Sequence, residues 1–236
     1  MAAILEVRRL GRTPYAATHA LQEELVAQRL AGAITDVLIL TEHDPVITLG
    51  RKSRALPAEP MEPMEPMELG GVPTVAVERG GEATYHGPGQ LVAYPIYLMP
   101  EGRRDLHRYL RDLEEVVIRM LAEVAVEGTR RPGKTGVWVG DKKLASIGVA
   151  VRRWVAWHGF SLELFTDLAA YKSFRPCGLA PDVMGRLSDL VDLPPANLLF
   201  EVLCVKHFCE VFDLELPPIP PRPPSEGAGL LPIWPS

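Results

Sequence analysis

The chain has 236 residues, 47% of them hydrophobic, and a formal net charge of -5. That length and apolar content suffice for one sizeable core, and the acidic balance argues against a general nucleic-acid binder, which needs a dominant basic surface. Its three cysteines, Cys177, Cys204 and Cys209, are too few and too odd in number for a disulfide framework and fit a reducing compartment.

The first ten residues alternate and carry Glu6, Arg8 and Arg9, without the apolar stretch of a signal peptide. No run approaches the roughly 18 apolar residues of a membrane span. A soluble cytoplasmic protein, away from membranes, is expected.

Residues 4–10 read as a strand. Pro14 opens a helix through Leu30, with Ala17, Ala20, Leu21, Leu25 and Leu30 near helical spacing. Asp36–Thr41 is a nearly continuous apolar run, the pattern of a buried strand, and Pro45–Leu49 is a second, ended by Gly50. Residues 57–70 hold Pro-Met-Glu three times in succession, and such repeated proline predicts a solvated loop. Thr74–Val77 and Leu91–Leu98 read as strands around a glycine-rich loop. Leu106, Tyr109, Leu110, Leu113, Val117 and Met120 recur at three and four, which predicts an amphipathic helix over 104–124. From Val137 to Leu164 the pattern is strand-like, with a hairpin turn at Gly140-Asp141 and a bend at Arg152-Arg153. Short helices near 167–172 and 181–190, and a longer one over 195–211, complete one domain spanning 1–213. A proline-rich tail, 214–236, follows it. The fold class is α+β: one domain with a mixed, largely antiparallel sheet flanked by helices.

Gly128–Thr135 matches the phosphate-loop pattern G-x-x-x-x-G-K-[ST]. That motif works between a strand and a helix N-terminus. Here a helix end precedes it, a strand follows it, and Pro132 removes a donor, so the match is read as accidental. No histidine or cysteine cluster has metal-ligand spacing, and no metal or other cofactor is expected.

Three segments carry chemistry. Arg79–Gln90 has four glycines in twelve residues, which permits positive φ and close approach of a ligand to backbone; the plainer reading is a tight turn in which His86 caps a carbonyl. Lys142 and Lys143 begin a strand whose small residues, Ala145, Ser146 and Gly148, leave room for a ligand beside one lysine. Cys177 stands between Pro176 and Gly178, before a helix starting near Pro181, where a thiolate is favoured. Composition alone leaves Cys177 equally fit to be a nucleophile or a structural thiol. Cys204 and Cys209, in an apolar helix, read as core residues.

Together, Arg-Gly-Gly-Glu-Ala-Thr-Tyr-His-Gly-Pro-Gly-Gln (79–90), Lys-Leu-Ala-Ser-Ile-Gly (143–148), His-Gly-Phe (158–160) and Pro-Cys-Gly (176–178) resemble the lipoyl(octanoyl) transferases, in that family's order and spacing over about residues 4–212. The resemblance implies a biotin/lipoate protein ligase-like fold. It also implies transfer of an octanoyl group from octanoyl-acyl carrier protein to a lysine of lipoyl domains, those of 2-oxoacid dehydrogenase and glycine cleavage proteins. Cys177 is then the nucleophile and Lys143 the cation that stabilises its thiolate. Arg79, Gly80, Gly81, Glu82, Ala83, Thr84, Tyr85 and His86, with Ser146, Ile147, Gly148, Gly159, Phe160 and Ser161, line the acyl pocket. An ATP-dependent lipoate or biotin ligase on the same fold is the alternative. Both protein substrates are expected to be acidic. The seven basic residues between Arg130 and Arg153, against one acid, offer a patch that would steer them.

Overall fold

The structure, a computed structural model, describes residues 3–54, 68–173, 181–192 and 196–218. Most of the Pro-Met-Glu segment, Cys177 with its Pro-Cys-Gly motif, and most of the proline-rich tail lie outside the described residues.

In chain order the elements are β1 (Ala3–Thr13), α1 (Tyr15–Leu30), β2 (Asp36–His43), β3 (Val46–Leu49), β4 (Glu68–Leu69), β5 (Val72–Ala76), β6 (Ala83–His86) and β7 (Gln90–Leu98). They continue with α2 (Leu106–Ala122), β8 (Thr129–Arg131), β9 (Lys134–Val139), β10 (Lys142–Arg152), β11 (Val155–Glu163), α3 (Asn197–Phe212) and β12 (Leu214–Glu215). A large sheet runs in the order β12-β1-β2-β7-β11-β10-β9-β8, and a smaller one in the order β4-β5-β3-β6. In the large sheet β1 is parallel to β2 and to β12, and every other pairing is antiparallel.

Both faces of the large sheet are covered, which is why β2 reads as an uninterrupted apolar run rather than an alternating one. Val37 and Ile39 pack toward Leu25 and Val26 of α1, while Leu38 and Leu40 join the larger core built with α2 and α3. Each fully buried Leu or Ile contributes roughly 1.5–3 kcal/mol. The Asp105 carboxylate caps α2, accepting from the His107 and Arg108 amides at 2.8 and 3.2 Å. α3 ends at Asp213 in the left-handed region. Cys204 is fully buried in the core under α3 and Cys209 packs at its edge, as expected for small hydrophobes. Among the described residues, no helix is long and apolar enough to cross a membrane.

Several expectations are corrected. Residues 83–86 are a strand paired with β3, not loop. Glu68–Leu69, placed in the low-complexity loop, pairs with β5. Leu214–Glu215, assigned to the tail, extends the large sheet beside β1. The helices expected near 167–172 and 181–190 are short 3-10 turns, Leu168–Ser173, Pro181–Val183 and Leu187–Asp189. Of the face expected for α1, Leu25 is buried and Leu21 and Leu30 pack partly against the core, but Ala17 and Ala20 are exposed; Tyr15, Thr18, Gln22 and Val26 are buried instead, and Gln22 Oε1 accepts the His158 amide at 3.0 Å. The rejection of the phosphate-loop match holds: residues 129–138 form a β-hairpin, and no helix N-terminus faces a phosphate there.

Candidate active site

Two adjoining cavities lie where the small sheet meets β10 and β11. The first, narrow and about 40 Å³, is lined by Arg79, Gly81, Thr84 and His86, by Ser146, Ile147 and Gly148, and by Gly159, Phe160 and Ser161. Tyr15, Tyr94 and His158 complete its wall. The second, a cleft of about 480 Å³, holds Lys143 together with Gly80, Glu82, Arg51, Lys52, Leu106, Leu110 and Lys134. Gly81, Ile147 and Gly148 line both, so the narrow cavity adjoins the cleft that contains the lysine. Of the residues expected to line a pocket, Ala83 and Tyr85 line neither cavity. Strand alternation turns them the other way, into a small core with Tyr171 and Met184, while Thr84 and His86 face the cavity.

Lys143 is 3% exposed. Strand alternation sends the two neighbouring lysines to opposite faces, so Lys143 turns inward while Lys142 stays exposed. Space for its stem comes from Gly136 on β9. The buried Glu114 carboxylate of α2 holds that glycine in place, accepting its amide at 3.0 Å. The backbone of Lys143 also bridges Met184, and its carbonyl accepts the Gly185 amide at 3.0 Å. The chain on the C-terminal side of residues 174–180 is thereby tied to this lysine. On the N-terminal side, the hydroxyl of buried Tyr171 donates to Glu163 Oε1 at 2.6 Å.

Arg79 lines the narrow cavity, but its guanidinium clamps the segment between β5 and β6 onto β3. Nη2 donates to both the carbonyl and the hydroxyl of Thr48 at 2.8 Å, and Nη1 donates to the Gly80 carbonyl at 3.1 Å. Gly148 accommodates this clamp: a Cβ there would stand 3.0 Å from Arg79 Cδ. His86 Nδ1 lies 2.7 Å from Gln90 Oε1, and Gln90 Nε2 donates to the Tyr85 carbonyl and to Glu163 Oε1. Gln90 thus offers only its oxygen, and the ring proton of His86 sits on Nδ1. Burial, reinforced by neighbouring His43, keeps His86 neutral, with its pKa well below the ordinary value. Its place is in the cavity wall. Burial drives Glu163 the other way, up to about 7, against the donors Tyr171 and Gln90 and the charge of Lys143.

Tyr15, Tyr94 and His158 were not anticipated as wall residues. Tyr15 and Tyr94 carried no local signal, one being a helix start and the other part of an apolar strand. His158 stood in the His-Gly-Phe motif beside the residues chosen. The basic patch is largely consumed internally: Arg130 pairs with Glu114 and Glu115, and Arg131 with Asp141 while lying over the Trp138 ring.

Residues 14–209 match the family described as lipoyl protein ligase A/B catalytic domain. An octanoyltransferase of Syntrophotalea carbinolica is 42% identical over 213 residues, 90% of this chain and 97% of that protein. One of Rubrobacter xylanophilus is 50% identical over 179 residues, 75% of this chain and 80% of that protein. Among solved structures, a lipoate-protein ligase A bound with ATP superposes with a TM-score of 0.69 at 15% identity, covering 92% of this chain and 88% of that one. A bi-partite lipoate protein ligase of Thermoplasma acidophilum does so at 0.65 and 17% identity, covering 92% and 86%. These two likenesses bear out the lipoate ligase-like α+β fold. The chain belongs to the lipoyl protein ligase A/B catalytic-domain family and, within it, to the octanoyltransferases, which are acyltransferases.

Proposed function

We propose that the chain carries an octanoyl group from octanoyl-acyl carrier protein to a lysine of lipoyl domains by way of a thioester on Cys177, in the cytoplasm where the carrier protein resides. The acceptors are lipoyl domains of 2-oxoacid dehydrogenase and glycine cleavage proteins. The observation that carries this reading is the junction of the two cavities. A narrow slot walled by Phe160, Ile147 and glycine backbone suits an unbranched acyl chain, and it adjoins the cleft of a buried lysine to which the chain following Cys177 is tied. The slot is smaller than eight carbons require and has to widen on binding.

In this reading the Cys177 thiolate, favoured by the Lys143 ammonium, attacks the donor's thioester carbonyl, and the tetrahedral intermediate expels the carrier thiolate. Backbone amides around the glycine-rich wall would stabilise the oxyanion. The acceptor amine then attacks the Cys177 thioester, forming the amide and releasing the Cys177 sulfur. The proton lost by the amine passes by way of Lys143 to that sulfur or to solvent. A thioester is exchanged for an amide, so the acyl group needs no activation by ATP. Intact-mass spectrometry after mixing with octanoyl-acyl carrier protein tests this. One octanoyl adduct is expected on the native chain and none on Cys177→Ala, and a lipoyl domain should discharge it onto its lysine. No adduct on the native chain, or one that persists in Cys177→Ala, overturns the reading.

A further inference from the structure

We propose that His19, Glu78 and His158 form a binding site for one divalent transition-metal ion of the zinc class, on the outer wall of the narrow cavity. The three residues come from α1, from the segment between β5 and β6, and from β11. One ligand atom from each lies within 4.8 Å of the other two. His19 Nε2 is 3.1 Å from Glu78 Oε2, and His158 Nε2 is 3.7 Å from the same oxygen. Ligands about 2.1 Å from a tetrahedral ion stand about 3.4 Å from one another. The two separations straddle that value, and the third, between the histidines, is within 4.8 Å.

His158 supplies an independent pointer to a ligand. It is 2% exposed, and its Nε2 has no hydrogen-bond partner, since 3.7 Å to Glu78 is too long for one. A buried, unsatisfied ring nitrogen costs free energy unless something binds it. The residue is held there against backbone preference, at φ +58°, with its amide fixed by Gln22. Its ring stacks on Trp157 with centroids 4.4 Å apart, which aims the free nitrogen toward Glu78. Burial, with the charge of Arg79 and the neighbouring His19, keeps the imidazole neutral, the form that binds metal, with its pKa pushed down to about 3.

On the other ligand, His19 Nδ1 lies 3.8 Å from Glu23 Oε2, one turn along α1. At that distance the Glu23 carboxylate does not hydrogen-bond the ring and only places a negative charge behind it. Glu78 is half-exposed and gives an ion a path from solvent. Two imidazoles and a carboxylate suit zinc better than the hard cations, which prefer oxygen alone. The ion would join α1 and β11 to the residue preceding Arg79, and so fix the cavity wall that has to widen for an acyl chain.

Calorimetric titration of Zn²⁺ into the full chain, freed of metal by chelator, tests the site. His19→Ala and the near-isosteric Glu78→Gln serve as variants, and Cys177→Ala removes the thiol as a competing ligand. One ion per chain is expected for the native protein and for Cys177→Ala. Either ligand substitution should weaken binding by about tenfold or more, while leaving the metal-free circular dichroism and melting temperature unchanged. Bound Co²⁺ should show a tetrahedral visible spectrum without a thiolate charge-transfer band. Failure of the native chain to bind stoichiometrically, binding that survives both ligand substitutions, or binding lost only in Cys177→Ala would each overturn the proposal. None of these outcomes depends on acyl transfer.

Discussion

Gly136 and Lys143 face each other across the β9–β10 pair so closely that a side chain at 136 would crowd the lysine: a Cβ there would stand 2.6 Å from Lys143 Cε, and 2.4 Å from the Ala145 carbonyl oxygen. Gly136 also has φ +128°, where side chains are strained. Gly136→Ala is expected to cost about 1–3 kcal/mol of stability and to displace the lysine. Acyl transfer should therefore fall in the folded fraction as well. Gly133→Ala, at φ +72° with nothing within 4 Å, is the control that carries backbone strain without the collision. Equal activity per folded molecule in the two variants would show that the position of Lys143 is not what Gly136 protects.

Glu163 makes a prediction about pH. Its carboxyl is fully buried and its folded pKa is raised from 4.5 to about 7. Below the unfolded value both states are protonated and the residue contributes no pH dependence. Between 4.5 and 7 the unfolded state releases its proton first, so stability falls as pH rises, by about 3 kcal/mol at most, and levels off above 7. Glu163→Gln keeps an acceptor for Tyr171 and Gln90 but does not titrate. Its amide hydrogens would cost a constant amount at every pH. Denaturant unfolding from pH 4.5 to 8 should show the variant gaining on the native protein across that window. A constant difference would mean that Glu163 is ionised in the fold.

The strands were legible where one physical cause acts locally. β2 is a continuous apolar run because helices cover both faces of its sheet, and the turn at Gly140 lies where glycine meets its need for positive φ. β6 was not legible, because Ala83–His86 sits among glycines and becomes a strand only through pairing with β3. Among the described residues, the segments 79–90, 143–148 and 158–160 meet at two adjoining cavities, although which side each residue faces came from register, and that moved Ala83 and Tyr85 to a core. His19, Glu78 and His158 are too far apart along the chain for any spacing rule to join them.

Phe160 is 2% exposed and forms part of the cavity wall. Phe160→Leu removes ring volume with a stability loss expected at roughly 1 kcal/mol. The enlarged cavity should favour longer acyl chains. In a competition between octanoyl and dodecanoyl carrier proteins, the share of dodecanoyl product should rise several-fold. An unchanged ratio would remove Phe160 from the surface that measures the acyl chain.

Acidic partners are expected to be met at the cleft rather than at Arg130 and Arg131 of β8. Arg130 serves Glu114, which is 1% exposed and in turn holds Gly136. Removing one partner of a buried carboxylate strands the charge, here softened because Arg111 also donates to Glu114, at 2.6 Å. Arg130→Ala should therefore lower the melting temperature, by the equivalent of roughly 1–3 kcal/mol, and leave the salt dependence of acyl transfer intact. Arg51 and Lys52 are exposed and line the mouth that holds Lys143. Reversing both to glutamate should slow acylation by octanoyl-acyl carrier protein about tenfold at low ionic strength, with the deficit shrinking as salt screens it. If the double reversal changed neither the rate nor its salt response while Arg130→Ala changed both, the carrier would have to approach over the hairpin instead.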